Sequence, residues 1–208
     1  MLTTNASGVL LIAAGCFVVN AGCILIEDDD ELLDDRIDDG GSGGGGGSVS
    51  VESSEEEDKL YDIIMQYRET KGLPRIPKSK SLYRVAQTHA RDQQENYSSF
   101  GSDCNMHSWS DKGNWTACCY TANHAMAQCM WDKPRELTNY KGNGYEISYG
   151  GNGTATAEPA LAAWKGSSGH NAVIVNSGAW QDRTWKAIGI GIRGGYADVW
   201  FGEEPDKE

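Results

Sequence analysis

No charged side chain occurs in the first 26 residues of this 208-residue chain. A stretch so bare is not the face of a water-exposed helix. The run from Gly8 to Ile26, GVLLIAAGCFVVNAGCILI, is apolar enough for an export signal and approaches the ~20 residues that cross a bilayer. It lacks the usual basic start. Other absences narrow the function. The six cysteines show no C-x-x-C pair, which argues against a cysteine-built zinc site. The acidic stretches hold no EF-hand pattern. Neither H-E-x-x-H nor, after residue 57, G-x-S-x-G occurs, so no familiar protease helix or serine elbow is present. No clustered basic face is seen, and nucleic acid is not an expected partner.

What is present is unevenly placed. Fourteen acids and one base precede Lys59, giving −13; from Lys59 onward sixteen acids meet seventeen bases, giving +1. All seven tryptophans follow residue 100, so the near-neutral part carries the large apolar anchors of a core. Three regions are expected: an export or anchor segment over 1–26, an acidic, glycine-rich tether over 27–57, and a folded domain over 58–208. AAGC at Cys16 and NAGC at Cys23 resemble lipoprotein cleavage sites. Cys23 is the preferred lipid attachment point, since the apolar run before it is long enough and the acidic tether follows. Anchoring through the N-terminus is then the expected membrane contact, and the expected location is extracellular, secreted or tethered to the surface.

Within the domain, Leu60, Ile63, Ile64 and Tyr67 recur at helical spacing, and Gly72 can stop that helix. A second helix is expected after Ser79 or Ser81, with Leu82, Val85, Ala86, His89 and Ala90 on one face. His89 therefore reads as a core histidine and not a ligand. A short helix is expected over Ala122–Trp131, with His124 near its start, and another after Pro159. NAVIVN, KAIGIGIR and ADVWFG read as three strands starting at Asn171, Lys186 and Ala197, the last two joined through Gly194-Gly195-Tyr196. Helices first and strands last predict an α+β fold, with helices on an antiparallel sheet.

Cys104, Cys118, Cys119 and Cys129 lie close together and suit two disulfides if the chain is exported. A bond between neighbours Cys118 and Cys119 would be strained, so Cys104 and Cys129 are each expected to pair with one of them, in an order left open. NYS, NWT and NGT offer glycosylation acceptors at Asn96, Asn114 and Asn152 in a eukaryotic host. Three short stretches carry groups suited to chemistry: CNMHSWS with His107, GNGYEIS with Glu146, and SSGHNAVIV with His170. Two imidazoles and a carboxylate suit one divalent metal, zinc above all, or equally an acid-base pair around a substrate.

Several features fall in an order that resembles the CAP superfamily of cysteine-rich secretory, antigen 5 and pathogenesis-related proteins, whose unit is the SCP domain. They are the helix ending in KGLP, the second helix with VAQTHA, then HSWS, GYEI, W-x-x-S-x-G-H and a glycine-punctuated final hairpin, together covering about Lys59 to Gly202. The resemblance implies an α-β-α sandwich with a central antiparallel sheet and a cleft of histidines and acids that binds zinc or another divalent ion in some members. It maps the cleft residues to His107, Glu146 and His170. A second family acid is missing: WKGSSGH places Ser167 near its position, nearer the bacterial short-loop form. The implied function is an extracellular binding module for a small molecule, lipid or protein. A peptidase- or esterase-like hydrolase using the same cleft is the alternative, and binding is favoured because fold resemblance does not establish chemistry.

Overall fold

The computed structural model describes residues 52–151 and 153–208. The expectations for the 1–26 segment, for the tether up to residue 51, for Cys23 and for Asn152 lie outside the described residues.

The first helix, α1 (Glu55–Glu69), starts three residues inside the expected tether. Its start is fixed locally. The Ser54 hydroxyl accepts from the Glu57 amide, and the Glu57 carboxylate accepts from the Ser54 amide, a reciprocal cap. Glu57 is buried because it is also a joint: its carboxylate takes the Ile192 amide at 2.9 Å and the Gln87 side-chain amide at 2.9 Å. α2 (Lys80–Asn96) is capped by Ser79, whose hydroxyl accepts from the Leu82 amide at 3.0 Å. α3 (Ala127–Leu137) lies about five residues later than expected and carries Pro134 within it. α4 (Ala157–Gly166) follows the strand β1 (Tyr145–Gly150).

Two expectations are corrected here. NAVIVN is not a strand: α5 (Ser168–Ile174) takes in its first four residues, with the Asn171 amide bonded to the Ser167 carbonyl. GYEIS, expected only as a site stretch, opens β1. The sheet is completed by β2 (Ala187–Arg193) and β3 (Tyr196–Gly202), in the antiparallel order β1-β3-β2. The β2–β3 turn is Gly194-Gly195, and Gly194 has φ +53, a conformation that glycine adopts without a Cβ penalty.

The register separates two faces. Tyr145, Ile147, Val199, Phe201, Ile188 and Ile190 share one face and pack on α1, α4 and α5. The opposite face carries Glu146, Ser148, Asp198, Trp200, Gly189 and Gly191 beneath α2, with α3 alongside. The fold is thus α+β, an α-β-α sandwich. The two β2 glycines explain how close α2 lies. A Cβ on Gly189 would fall 2.0 Å from the Leu82 backbone, and one on Gly191 would fall 2.3 Å from the Ala86 backbone. The helix therefore rests on the strand itself, and its next turn carries His89 over Glu146.

Candidate functional site

His107 lies in the loop after α2. That loop is held in place by a two-residue bridge: Trp109 and Cys118 exchange both backbone hydrogen bonds, at 2.9 and 3.1 Å. Cys118 is in turn bonded to Cys129, and Cys104 to Cys119, which resolves the order left open by the sequence. His170 sits in the first turn of α5 instead of at a strand mouth. α5 is pinned by α1: the buried Arg68 guanidinium donates to the Ile174 carbonyl at 2.5 Å and to Asn176 Oδ1 at 2.7 Å, and Tyr67 donates to Asn171 Oδ1 at 2.9 Å. These bonds replace the orphan partners of a short helix end.

Glu146 is the hub. Its side chain is fully buried, and each oxygen meets a histidine. Oε1 lies 2.5 Å from His89 Nδ1, and Oε2 accepts from His107 Nδ1 at 2.8 Å. His89 Nε2 points at the Ser108 carbonyl at 2.9 Å. A carbonyl only accepts, so Nε2 carries a proton, and the short Nδ1 contact is that of an imidazolium with a carboxylate. The His89 ring also stacks on Trp109 at 4.1 Å and 5°, a favourable position for a cation. Burial works against charge on His89, yet the adjacent Glu146 carboxylate outweighs it and holds the pKa up, at about 9. Glu146 moves the other way: burial opposes its charge, but His89 and His107 outweigh that and hold it well below the usual range. His89 is therefore more than a core histidine. Sequence reasoning saw its place on the buried helix face and missed its partner, because the carboxylate is 57 residues away.

Asp198, on the neighbouring strand, has Oδ2 4.0 Å from His89 Nδ1. Burial, with the Glu146 charge beside it, raises its pKa well above the ordinary carboxylate value, which favours the neutral form. His89, Glu146 and Asp198 are the one set of three metal-ligating side chains, among the described residues, whose ligand atoms all lie within 4.8 Å of one another. That set could hold a metal ion only after rearrangement, since a 2.5 Å gap between His89 and Glu146 leaves a proton between them and no room for a cation.

The exposed side of this network opens into a cavity of about 430 Å³. His107, Glu146 and His170, the three residues expected to share a cleft, all line it. So do Ser167 and a histidine not expected there, His124, together with apolar walls from Trp131, Tyr145 and Trp180. Burial, then the nearby His107, push the His170 pKa down, favouring a neutral imidazole. His170 Nδ1 lies 2.9 Å from Ser167 Oγ. A larger, more open groove of about 510 Å³ on the outer side of α2 is lined by Arg84, Arg91, Lys112 and Trp115, and by none of the expected site residues.

A three-layer sandwich with histidines from two loops and a short helix around one buried glutamate is a cleft-bearing domain of the SCP type. The model of the CAP, or cysteine-rich secretory protein, family matches residues 61–181, and the chain belongs to that family. No curated protein matches it. Among solved structures, it is similar to an extracellular SCP-domain protein of Bacillus anthracis (15% identity, TM-score 0.48, covering 72% of this chain and 40% of that one). It is also similar to a cysteine-rich secretory protein of Staphylococcus aureus (19%, TM-score 0.44, 72% and 39%). A third is an outer surface protein of Borrelia burgdorferi (16%, TM-score 0.50, 74% and 96%). The chain spans about two fifths of the first two proteins.

Proposed function

We propose that the protein is an extracellular or surface-tethered binding module. Its cleft takes a divalent cation, zinc by preference, through His107 and His170, beside a small, partly apolar ligand. Glu146 acts as the carboxylate that orients His107, because both of its oxygens are already taken. The reading rests mainly on one observation: imidazoles and aromatic walls share a single cavity. The donor chemistry fits a cation. His107 donates Nδ1–H to Glu146, which leaves Nε2 with its lone pair, and the depressed His170 pKa favours the neutral form that a metal requires. When bound, zinc would supply positive charge for an acceptor group of the ligand.

Placement outside the cell draws on the apolar first 26 residues and the two disulfides. The similar bacterial proteins, one extracellular and one an outer surface protein, agree with it. A lipid on Cys23, with the acidic tether after it, would hold the domain off the membrane. Partners are then a small molecule, a lipid or a protein, and not nucleic acid.

The alternative, a hydrolase using the same cleft with His107 or His170 as base and Glu146 as orienting group, draws on the His107–Glu146 and Ser167–His170 contacts. Calorimetric titration with zinc near neutral pH tests the binding reading. The wild type should bind, and the His107→Ala, His170→Ala double variant should not. Equal affinity in the two would remove the site. Turnover of peptide or ester libraries that is lost on Ser167→Ala would move the assignment to the hydrolase.

A further inference from the structure

The ten residues between Cys118 and Cys129 form a loop closed by their own disulfide. Its base is firm. Tyr120 is buried, its amide donates to Ser108 Oγ at 2.8 Å, and its carbonyl accepts from the Asn105 amide at 2.8 Å. The tip carries His124 in the left-handed region, at φ +59. That conformation is uncommon for a side chain with a Cβ, and here it turns an exposed imidazole onto the cavity that His107 and His170 line.

The three rings share one feature. Each has Nδ1 against an oxygen that can accept a proton: His107 against Glu146 Oε2 at 2.8 Å, His124 against Tyr120 Oη at 3.1 Å, and His170 against Ser167 Oγ at 2.9 Å. Where Nδ1–H is the donor, Nε2 keeps its lone pair: the Glu146 carboxylate, which only accepts, sets this direction for His107, and the Tyr120 and Ser167 hydroxyls allow it for His124 and His170. This is the arrangement by which outer groups fix the tautomer and direction of metal-binding histidines.

We propose that His124 is a third protein ligand, making a three-imidazole site for zinc or a similar divalent cation with His107 and His170. This rests on the reading of the cleft given above and adds a residue to it. Three neutral imidazoles leave a four-coordinate zinc ion one open position, where an acceptor group of a bound ligand fits. The ligand nitrogens of the three rings are not all within 4.8 Å of one another, so loading draws the exposed loop tip inward. The disulfide limits how far that tip strays and keeps His124 near the cavity when no cation is bound.

Zinc titration of the full chain, with both disulfides formed, tests this by calorimetry. His124→Ala should weaken affinity at least about 10-fold, and Tyr120→Phe, which removes the Nδ1 acceptor, should weaken it by about 10-fold. His124 is exposed, so the thermal midpoint of His124→Ala without zinc should match the wild type. If His124→Ala binds zinc like the wild type while His107→Ala and His170→Ala lose it, the third ligand is refuted and the two-imidazole site stands. If the wild type binds no zinc, or all three single variants bind it equally, both readings fall.

Discussion

Replacing His89 by glutamine should reduce the loss of stability that the wild type shows on the alkaline side, with the raised Asp198 carboxyl keeping a share of it. His89 is fully buried between Glu146, Ser108 and Trp109. Its pKa rises from 6.5 to about 9 in the fold. A group raised on folding adds stability that is complete below its unfolded pKa and is lost as pH climbs through the folded one. The window is therefore about pH 6.5 to 9, and a shift of this size corresponds to about 3 kcal/mol. On the acid side, Glu146 is depressed below its ordinary 4.5, so its contribution is present above that value and lost as pH falls through the folded pKa. A second route to the size agrees: breaking a buried ion pair by removing one partner costs about 3–5 kcal/mol. Urea unfolding followed by tryptophan fluorescence at pH 6 and pH 9.5 is the assay. The wild type should lose about 3 kcal/mol between them and His89→Gln less, so the gap between the proteins narrows at high pH. A wild-type profile level across that window, or equal slopes in both proteins, would refute the charged assignment of His89.

Other outcomes can be checked more simply. Gly191→Val should destabilise by about 3 kcal/mol or prevent folding, because its Cβ would sit 2.3 Å from the α2 backbone. Gly166→Ala, with open space around its Cβ, should be neutral or slightly stabilising on thermal denaturation. A chain starting at Glu52 should unfold cooperatively, whereas one starting at Lys59 loses the Ser54 cap and the Glu57 joint and should be less stable by about 2 kcal/mol or more in urea. Mass spectrometry of protein from its native compartment should find Cys104–Cys119 and Cys118–Cys129; reducing either should cost about 2–4 kcal/mol.

Local rules made α1, α2 and the final hairpin legible. Their signals are apolar spacing, a serine cap and a glycine pair, and each acts within a few residues. NAVIVN failed because Val173, Ile174 and Val175 are strand-prone, while the bonds that make it helical come from Arg68 and Tyr67, more than 100 residues earlier. β1 was missed for the opposite reason. Glu146 and Ser148 look solvent-facing, yet both are buried under α2 and satisfied by His89 and Gln93. His107, Glu146 and His170 stood out as two imidazoles and a carboxylate on three short stretches, the family resemblance mapped the cleft to them, and all three line one cavity. His124 belongs to no such motif. Only the closed cysteine loop brings it there, so a sequence signal for it would have required the disulfide pairing.

The contact between α2 and β2 is made by main chain against main chain. Side-chain cores act as adjustable spacers: swap an isoleucine for a valine and the layers creep together. Gly189 and Gly191 remove that spacer. The height of α2 above the sheet is then a fixed datum, like a part machined to seat on bare metal. His89 is mounted on the seated helix and Glu146 on β1 of the same sheet, tied to β2 through β3, so their separation is insulated from drift in the packing on the other face of the sheet. That face, lined by Ile188, Ile190, Val199 and Phe201, is free to exchange one apolar residue for another over time while the charged pair keeps its spacing.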